Sequence, residues 1–144
     1  MLLKSAFRII STMKPQTILA LGALSAFLAV GFGAFGAHGL EPILSESQLG
    51  TYHTAVDYQF YHALALVAVA AISFQFTNAA ALKWVTILFI AGTVLFSGSL
   101  YLLVFTSAKY LGIVTPVGGL AFLTGWLLLV WASFTQLTPD DDGN

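Results

Sequence analysis

The residues able to do chemistry gather in one stretch, TYHTAVDYQFYHALAL, residues 51–66. His53 and Asp57 are four apart, so a helix puts them on one face, with Tyr61 continuing it. Tyr58, Gln59 and His62 fall on another. Asp57 and His62 are five apart, about 140° around a helix, and cannot form one compact site within it. They need a third group between them, or they serve two different neighbours. His38, in GAFGAHGLEPIL, and Ser97 and Tyr101, in FSGSLYLL, are the other groups in reach of such a helix. Three uses are open to them. One is a structural network in which His38, Gln59, His62, Ser97 and Ser99 hydrogen-bond between helices. Another is a path for a proton or small solute along His38, Asp57 and His62. The third is a metal or lipid-headgroup site near an interface, from His38, Glu41, His53 and Asp57. The i, i+4 pair His53 and Asp57 suits two ligands on one helix, but no complete ligand set stands in a recognised motif, and no metal is assigned. Ser-Gly-Ser at 97–99 lacks the base and oxyanion pocket that a nucleophile requires, so no catalytic residue is assigned.

What must position these groups is a set of membrane helices. The chain has 144 residues, 58% hydrophobic and 8% charged, where a soluble domain carries about 25% charged residues. The charges leave four long gaps: 26 residues between Lys14 and Glu41, 25 between Asp57 and Lys83, 25 between Lys83 and Lys109, and 30 between Lys109 and Asp140. A spanning helix needs about 20 apolar residues, and in lipid the backbone must satisfy its own hydrogen bonds. The pattern predicts an all-α, polytopic four-transmembrane-helix bundle over residues 16–137, with spans at about 16–37, 53–76, 84–105 and 115–136. A basic cytosolic segment, 1–15, precedes it, and an acidic flexible tail, 138–144, follows. Segment 1–14 has Leu3, Phe7 and Ile10 at the spacing of a short interfacial helix, and a mitochondrial-type targeting segment has similar chemistry. A net charge of −1 points away from nucleic acid. With no cysteine there is no disulfide or thiolate ligand.

Local signals mark the ends. Ser45 or Ser47 is placed to cap the second helix, which then begins above the interface. If it starts near Ser47, Asp57 lies about 15 Å along it, where a carboxylate costs little, and His62 lies deeper. Asp at the bilayer centre costs about 2.5–3.5 kcal/mol. Gly39 suits the left-handed residue just past the first span, Pro42 blocks continuation, and His38 then sits in the last turn. Pro116 suits the first turn of the last span. Gly22, Ala26, Ala29, Gly33 and Gly36 share one face of the first span, and Gly118, Ala121 and Gly125 one face of the last. Small residues let backbones approach in lipid, so both stripes are expected as packing seams. An orientation with both termini inside puts Lys4, Arg8, Lys14 and Lys83 inside and Lys109 outside, as the positive-inside rule requires.

Four stretches in order, GAFGAHGL, TAVDYQFYHALAL, LFSGSLYLL and TPVGGLAFLTGW, resemble the YgdD-like small inner-membrane proteins. This is the group described as domain of unknown function 423, with transmembrane protein 256 as its eukaryotic relative. The resemblance runs from about Ile18 to Trp131, and segment 1–14 lies outside it. It implies a multi-pass plasma-membrane protein, in bacteria of the inner membrane, with no established activity, substrate or cofactor. The residues that recur in the family match here at His38, Gly39, Tyr58, Gln59, His62, Ser97, Gly98, Tyr101, Pro116, Gly118, Gly119 and Trp126. Together these observations lead to the expectation of a non-enzymatic membrane protein without cofactor, structural or assembly- or stress-related in role. Its partners would be the bilayer and a second copy or another membrane protein. The alternative is a small transporter or proton-coupled carrier on the intramembrane His and Asp groups.

Overall fold

The computed structural model describes residues 13–76, 79–106 and 108–137. The basic segment up to residue 12 and the tail from 138 lie outside the described residues, as does the side chain of Lys109. Four helices follow one another: α1, Pro15–Phe35; α2, Glu46–Gln75; α3, Ala80–Thr106; and α4, Val114–Thr135. Each is long and apolar enough to cross a membrane, and the chain is an all-helical membrane protein. Pro15 opens α1 in its first turn, where its missing N–H has no intrahelical partner to lose. α2 starts on a full capping box. Ser45 Oγ accepts from the Gln48 backbone N–H, and Gln48 Oε1 accepts from the Ser45 N–H at 3.1 Å. The second loop closes through a short 3₁₀ turn, Lys109–Ile113, directly into α4.

The end of α1 differs from expectation. Gly39 is not in a left-handed conformation, and the chain stays right-handed helical through Glu41, at φ −52° and ψ −44°. Residues Gly36–Leu40 form one widened, π-helical turn instead. Both glycines in it are required by neighbouring rings. A Cβ on Gly36 would lie 2.7 Å from Tyr52 Cε1, and one on Gly39 2.7 Å from Phe35 Cε2. Space, rather than backbone dihedral, selects glycine at 39. The turn seats Leu40 in a cluster with Tyr52, Val56 and Val104, the core of one end of the molecule.

Each helix packs on its neighbour in sequence, α1 on α2, α2 on α3, and α3 on α4. The outer pair, α1 and α4, has no comparable contact. α2 is the central element: 50% of its apolar window is buried, against 17% for α1 and α4. The seam of α1 lies on α2. A Cβ on Gly22 would come within 3.0 Å of the Ala63 carbonyl oxygen. Ala29 is fully buried, while Ala26 and Gly33 are half-buried along the same line. The seam of α4 lies on α3 and is tighter. A Cβ on Gly118 would meet the Phe96 backbone nitrogen at 2.4 Å, and one on Gly125 the Phe89 ring at 2.7 Å, while Ala121 is half-buried between them. α3 reciprocates with Gly92, where a Cβ would fall 2.4 Å from the Phe122 ring. Two phenylalanines and two glycines thus interlock across α3 and α4, and backbone proximity rather than hydrophobic driving force holds this pair in lipid.

Candidate functional site

The polar groups of α2 are shared out among the other helices. Gln59 is buried and donates from Nε2 to the Ser25 carbonyl of α1 at 3.1 Å. Its Oε1 accepts from the Tyr101 hydroxyl of α3 at 2.9 Å. One amide therefore ties three helices. Two turns earlier, Tyr52 donates from its hydroxyl to the Phe32 carbonyl at 2.9 Å, and its ring lies 5.3 Å from that of Tyr101. Phe32 meets Tyr101 edge-on at 5.4 Å. Gln48, besides capping α2, reaches the Val104 carbonyl at 3.4 Å. On the far side Ser99 Oγ donates to the Phe96 carbonyl and lies 2.7 Å from Thr115 Oγ1 of α4.

His62 is the best-defined of these groups. It is buried, stacked on Phe122 with ring centroids 3.4 Å apart and planes 11° from parallel. Its Nε2 lies 3.2 Å from Trp126 Nε1 and its Nδ1 2.8 Å from the Tyr58 carbonyl. These two bonds settle the proton. An indole N–H only donates, so Nε2 must accept. A backbone carbonyl only accepts, so Nδ1 must carry the hydrogen. The imidazole is neutral, with both nitrogens engaged, and a second proton on Nε2 would break the bond to Trp126.

The other sequence candidates do not join this cluster. His38 is exposed, with no hydrogen bond or ring contact among the described residues. It does not reach Asp57, Gln59 or His62. Asp57 is exposed and His53 half-buried on α2's other face. Asp57 stands 11 residues after Glu46, about 17 Å along a helix of about 45 Å. The hydrocarbon core takes up only about 30 Å, so a helix of this length is longer than the core is thick. Ser97 is buried, but its Oγ has no hydrogen-bond partner. The network expected from His38, Gln59, His62, Ser97 and Ser99 is thus corrected at two members. Gln59, His62 and Ser99 bridge helices, whereas His38 and Ser97 do not. The reason is rotational: the widened turn turns His38 outward, and Ser97 meets no donor or acceptor across its interface. No three of His, Asp and Glu converge for a metal among the described residues.

Tyr52, Ser25, Thr115 and Trp126 are the partners that reading residue types did not single out. Ser25 contributes only its carbonyl, so nothing in its side chain announces it. Trp126 was marked only as one of the residues that recur in the family, with no partner assigned. The notable void beside the cluster is a groove of about 580 Å³ along α2 and α4, open to the side and floored by Phe96, His62 and Phe122. A smaller, aliphatic groove of about 200 Å³ lies on the opposite face, between α1 and α3 over Leu66.

Comparison with known proteins agrees with this architecture. A family model described as "Protein of unknown function (DUF423)" matches residues 32–119. The UPF0382 membrane protein SAB0533 of Staphylococcus aureus (strain bovine RF122 / ET3-1) is 47% identical over 119 residues, covering 83% of this chain and 96% of the relative. The UPF0382 membrane protein SSP2132 of Staphylococcus saprophyticus is 47% identical over 119 residues, 83% and 98% of the two chains. YwdK of Bacillus subtilis, also a UPF0382 membrane protein, is 44% identical over 122 residues, 85% and 99%. No solved structure matches. The similarity runs over nearly the whole of these relatives, and the chain belongs to the DUF423 family of UPF0382 membrane proteins.

Proposed function

We propose that the protein is a non-enzymatic, multi-pass protein of the bacterial plasma membrane that works by associating with a second copy or another membrane protein. One observation supports this above others. The interhelical polar groups end on the protein's own helices, His62 with both ring nitrogens, and what remains free to act is the apolar exterior. That exterior is unusually large for four helices because α1 and α4 do not close on each other. Phe27 and Val30 on α1, and Leu127 and Phe134 on α4, are all more than half exposed. In this reading both termini lie inside. It is supported by the start of α1 and the α2–α3 turn lying together around a small cavity lined by Met13 and Lys83, which groups Lys14 with Lys83 at one end, the basic end that the positive-inside rule favours for the cytoplasm.

The test is in-membrane crosslinking followed by affinity capture of the intact chain. A crosslinked dimer, or a reproducible membrane-protein partner, is the expected result. A strictly monomeric protein with no partner would overturn the proposal. A carrier would need His38, Asp57 and His62 on one path, and they occupy three separate environments. Proteoliposomes should accordingly show no proton or solute flux above empty vesicles under an imposed gradient, and a flux abolished by His62→Ala would reinstate the carrier.

A further inference from the structure

The groove along α2 and α4 has features that packing does not explain. Gly119 is the first. Its neighbours in α4's seam, Gly118 and Gly125, are glycines because α3 leaves no room for a Cβ. At Gly119 a Cβ would come no closer than 3.8 Å to the Phe96 ring, an ordinary contact. The fold tolerates a side chain there, and what one would fill is the groove. The second is the alignment of rings on the wall. Tyr58 lies 30° or less from the planes of His62, Phe96 and Phe122. The third is the Tyr58 hydroxyl. The residue is 40% exposed into the groove, and its hydroxyl has no hydrogen-bond partner among the described residues. A hydroxyl left without a partner in an apolar groove is costly. Finally, Trp126 is 43% exposed although its N–H is held by His62, so its ring is presented to the groove in a fixed orientation.

We infer that this groove is a lateral binding site for a lipid-phase molecule with a flat conjugated ring and a ring carbonyl, the chemistry of an isoprenoid quinone. The ring packs against this aromatic wall, whose Phe96 and Phe122 stand 55° apart, by offset or edge-on contact. The carbonyl accepts from the Tyr58 hydroxyl. The prenyl chain leaves over Leu120 and Leu123 into the bilayer. An ordinary acyl chain makes no ring–ring contact with the aromatic wall, and it would leave the hydroxyl unpaired once it filled the cleft. From Pro116 to Trp126 the groove runs about 15 Å, enough for a bicyclic ring and its first prenyl unit. The inference goes beyond association and does not depend on it. No electron transfer is involved, since only binding is claimed.

The experiment is quenching of tryptophan fluorescence in purified full-length protein in nanodiscs, titrated with a naphthoquinone carrying one prenyl unit. Saturable quenching is expected, and most of it should vanish in Trp126→Phe while Trp84 and Trp131 remain. Gly119→Leu should keep its helical circular dichroism and thermal transition yet lose binding by at least about tenfold, by filling the groove. Tyr58→Phe should lose about fivefold, the worth of one hydrogen bond. Non-saturating quenching that is equal in wild type and Gly119→Leu would show partition into the bilayer only, and would overturn the proposal. So would brominated phospholipid that quenches Trp126 to the same extent and is not displaced by the quinone, which would identify an ordinary acyl chain. Gly119→Cys in this cysteine-free chain supplies the last arm. Self-crosslinking through it in native membranes would seat a second copy in the groove and overturn the proposal equally.

Discussion

At the scale of single residues, the hydrogen bonds of α2 do different amounts of work. Gln59 spends both ends of its amide on other helices, so Gln59→Leu removes two interhelical bonds at once. A bond between membrane helices contributes about 0.6 kcal/mol on average, and the expected loss is about 1 kcal/mol, read as a lowered unfolding midpoint in detergent. Replacing Tyr101 with Phe removes one of the two bonds and should cost about half as much. Ser97 is the opposite case. Its buried hydroxyl has no partner, so Ser97→Ala should leave stability unchanged or raise it slightly, because an unsatisfied polar group is removed with little change in shape. A clear destabilisation on the same assay would show that the hydroxyl has a partner after all. His62 was conspicuous in the sequence as an ionisable group within an apolar run. Its neutrality was not, because it follows from an indole contributed by a residue 64 positions away.

At the scale of elements, the glycines of α4 sort into two kinds. Gly118 and Gly125 share one face of the helix and Gly119 lies about 100° from Gly118, and only the first two abut α3. Gly118→Ala pushes a methyl into the Phe96 backbone, which cannot rotate away, and should cost about 1–3 kcal/mol by overpacking. Gly119→Ala in parallel should be nearly silent or slightly stabilising, as expected for Gly to Ala in a helix with room for the methyl. Both are read from the thermal transition of the purified protein. Equal effects of the two would mean that the α3–α4 contact is not the tight one. The helices themselves were legible because charge-free runs of spanning length have few other solutions in lipid. The end of α1 was not. Gly39 and Pro42 carry the usual marks of a stop, yet the chain runs on through a widened turn, with the Tyr52 and Phe35 rings where a Cβ on Gly36 or Gly39 would fall.

At the scale of the whole molecule, the consequence that matters most is the open arrangement. Because α1 and α4 flank a central pair without meeting, both present long apolar faces, and one groove opens on each side of the layer. The same layout sets where reagents reach. In a cysteine-free chain, Ile43→Cys and Gly112→Cys, one in each loop at the same end, should both react with a membrane-impermeant maleimide from outside intact cells. Cysteine at Ala80, exposed at the start of α3 beside the α2–α3 turn, should react only after the membrane is opened. The reverse pattern would invert the assigned topology without altering the fold.

The sequence by itself determined that this chain crosses a membrane four times, roughly where it does so, and which family it belongs to. Those properties follow from composition and order, which lipid reads directly. It also marked Gln59, His62, Tyr101 and the two small-residue seams, because polar groups and glycines within apolar runs are conspicuous. Only the tertiary structure decided which of them meet. Rotation of each helix about its axis is set by ring packing and close backbone contact, terms that act between residues far apart in the chain. They turned His38 and Asp57 outward, left Ser97 alone, and placed Trp126 on His62.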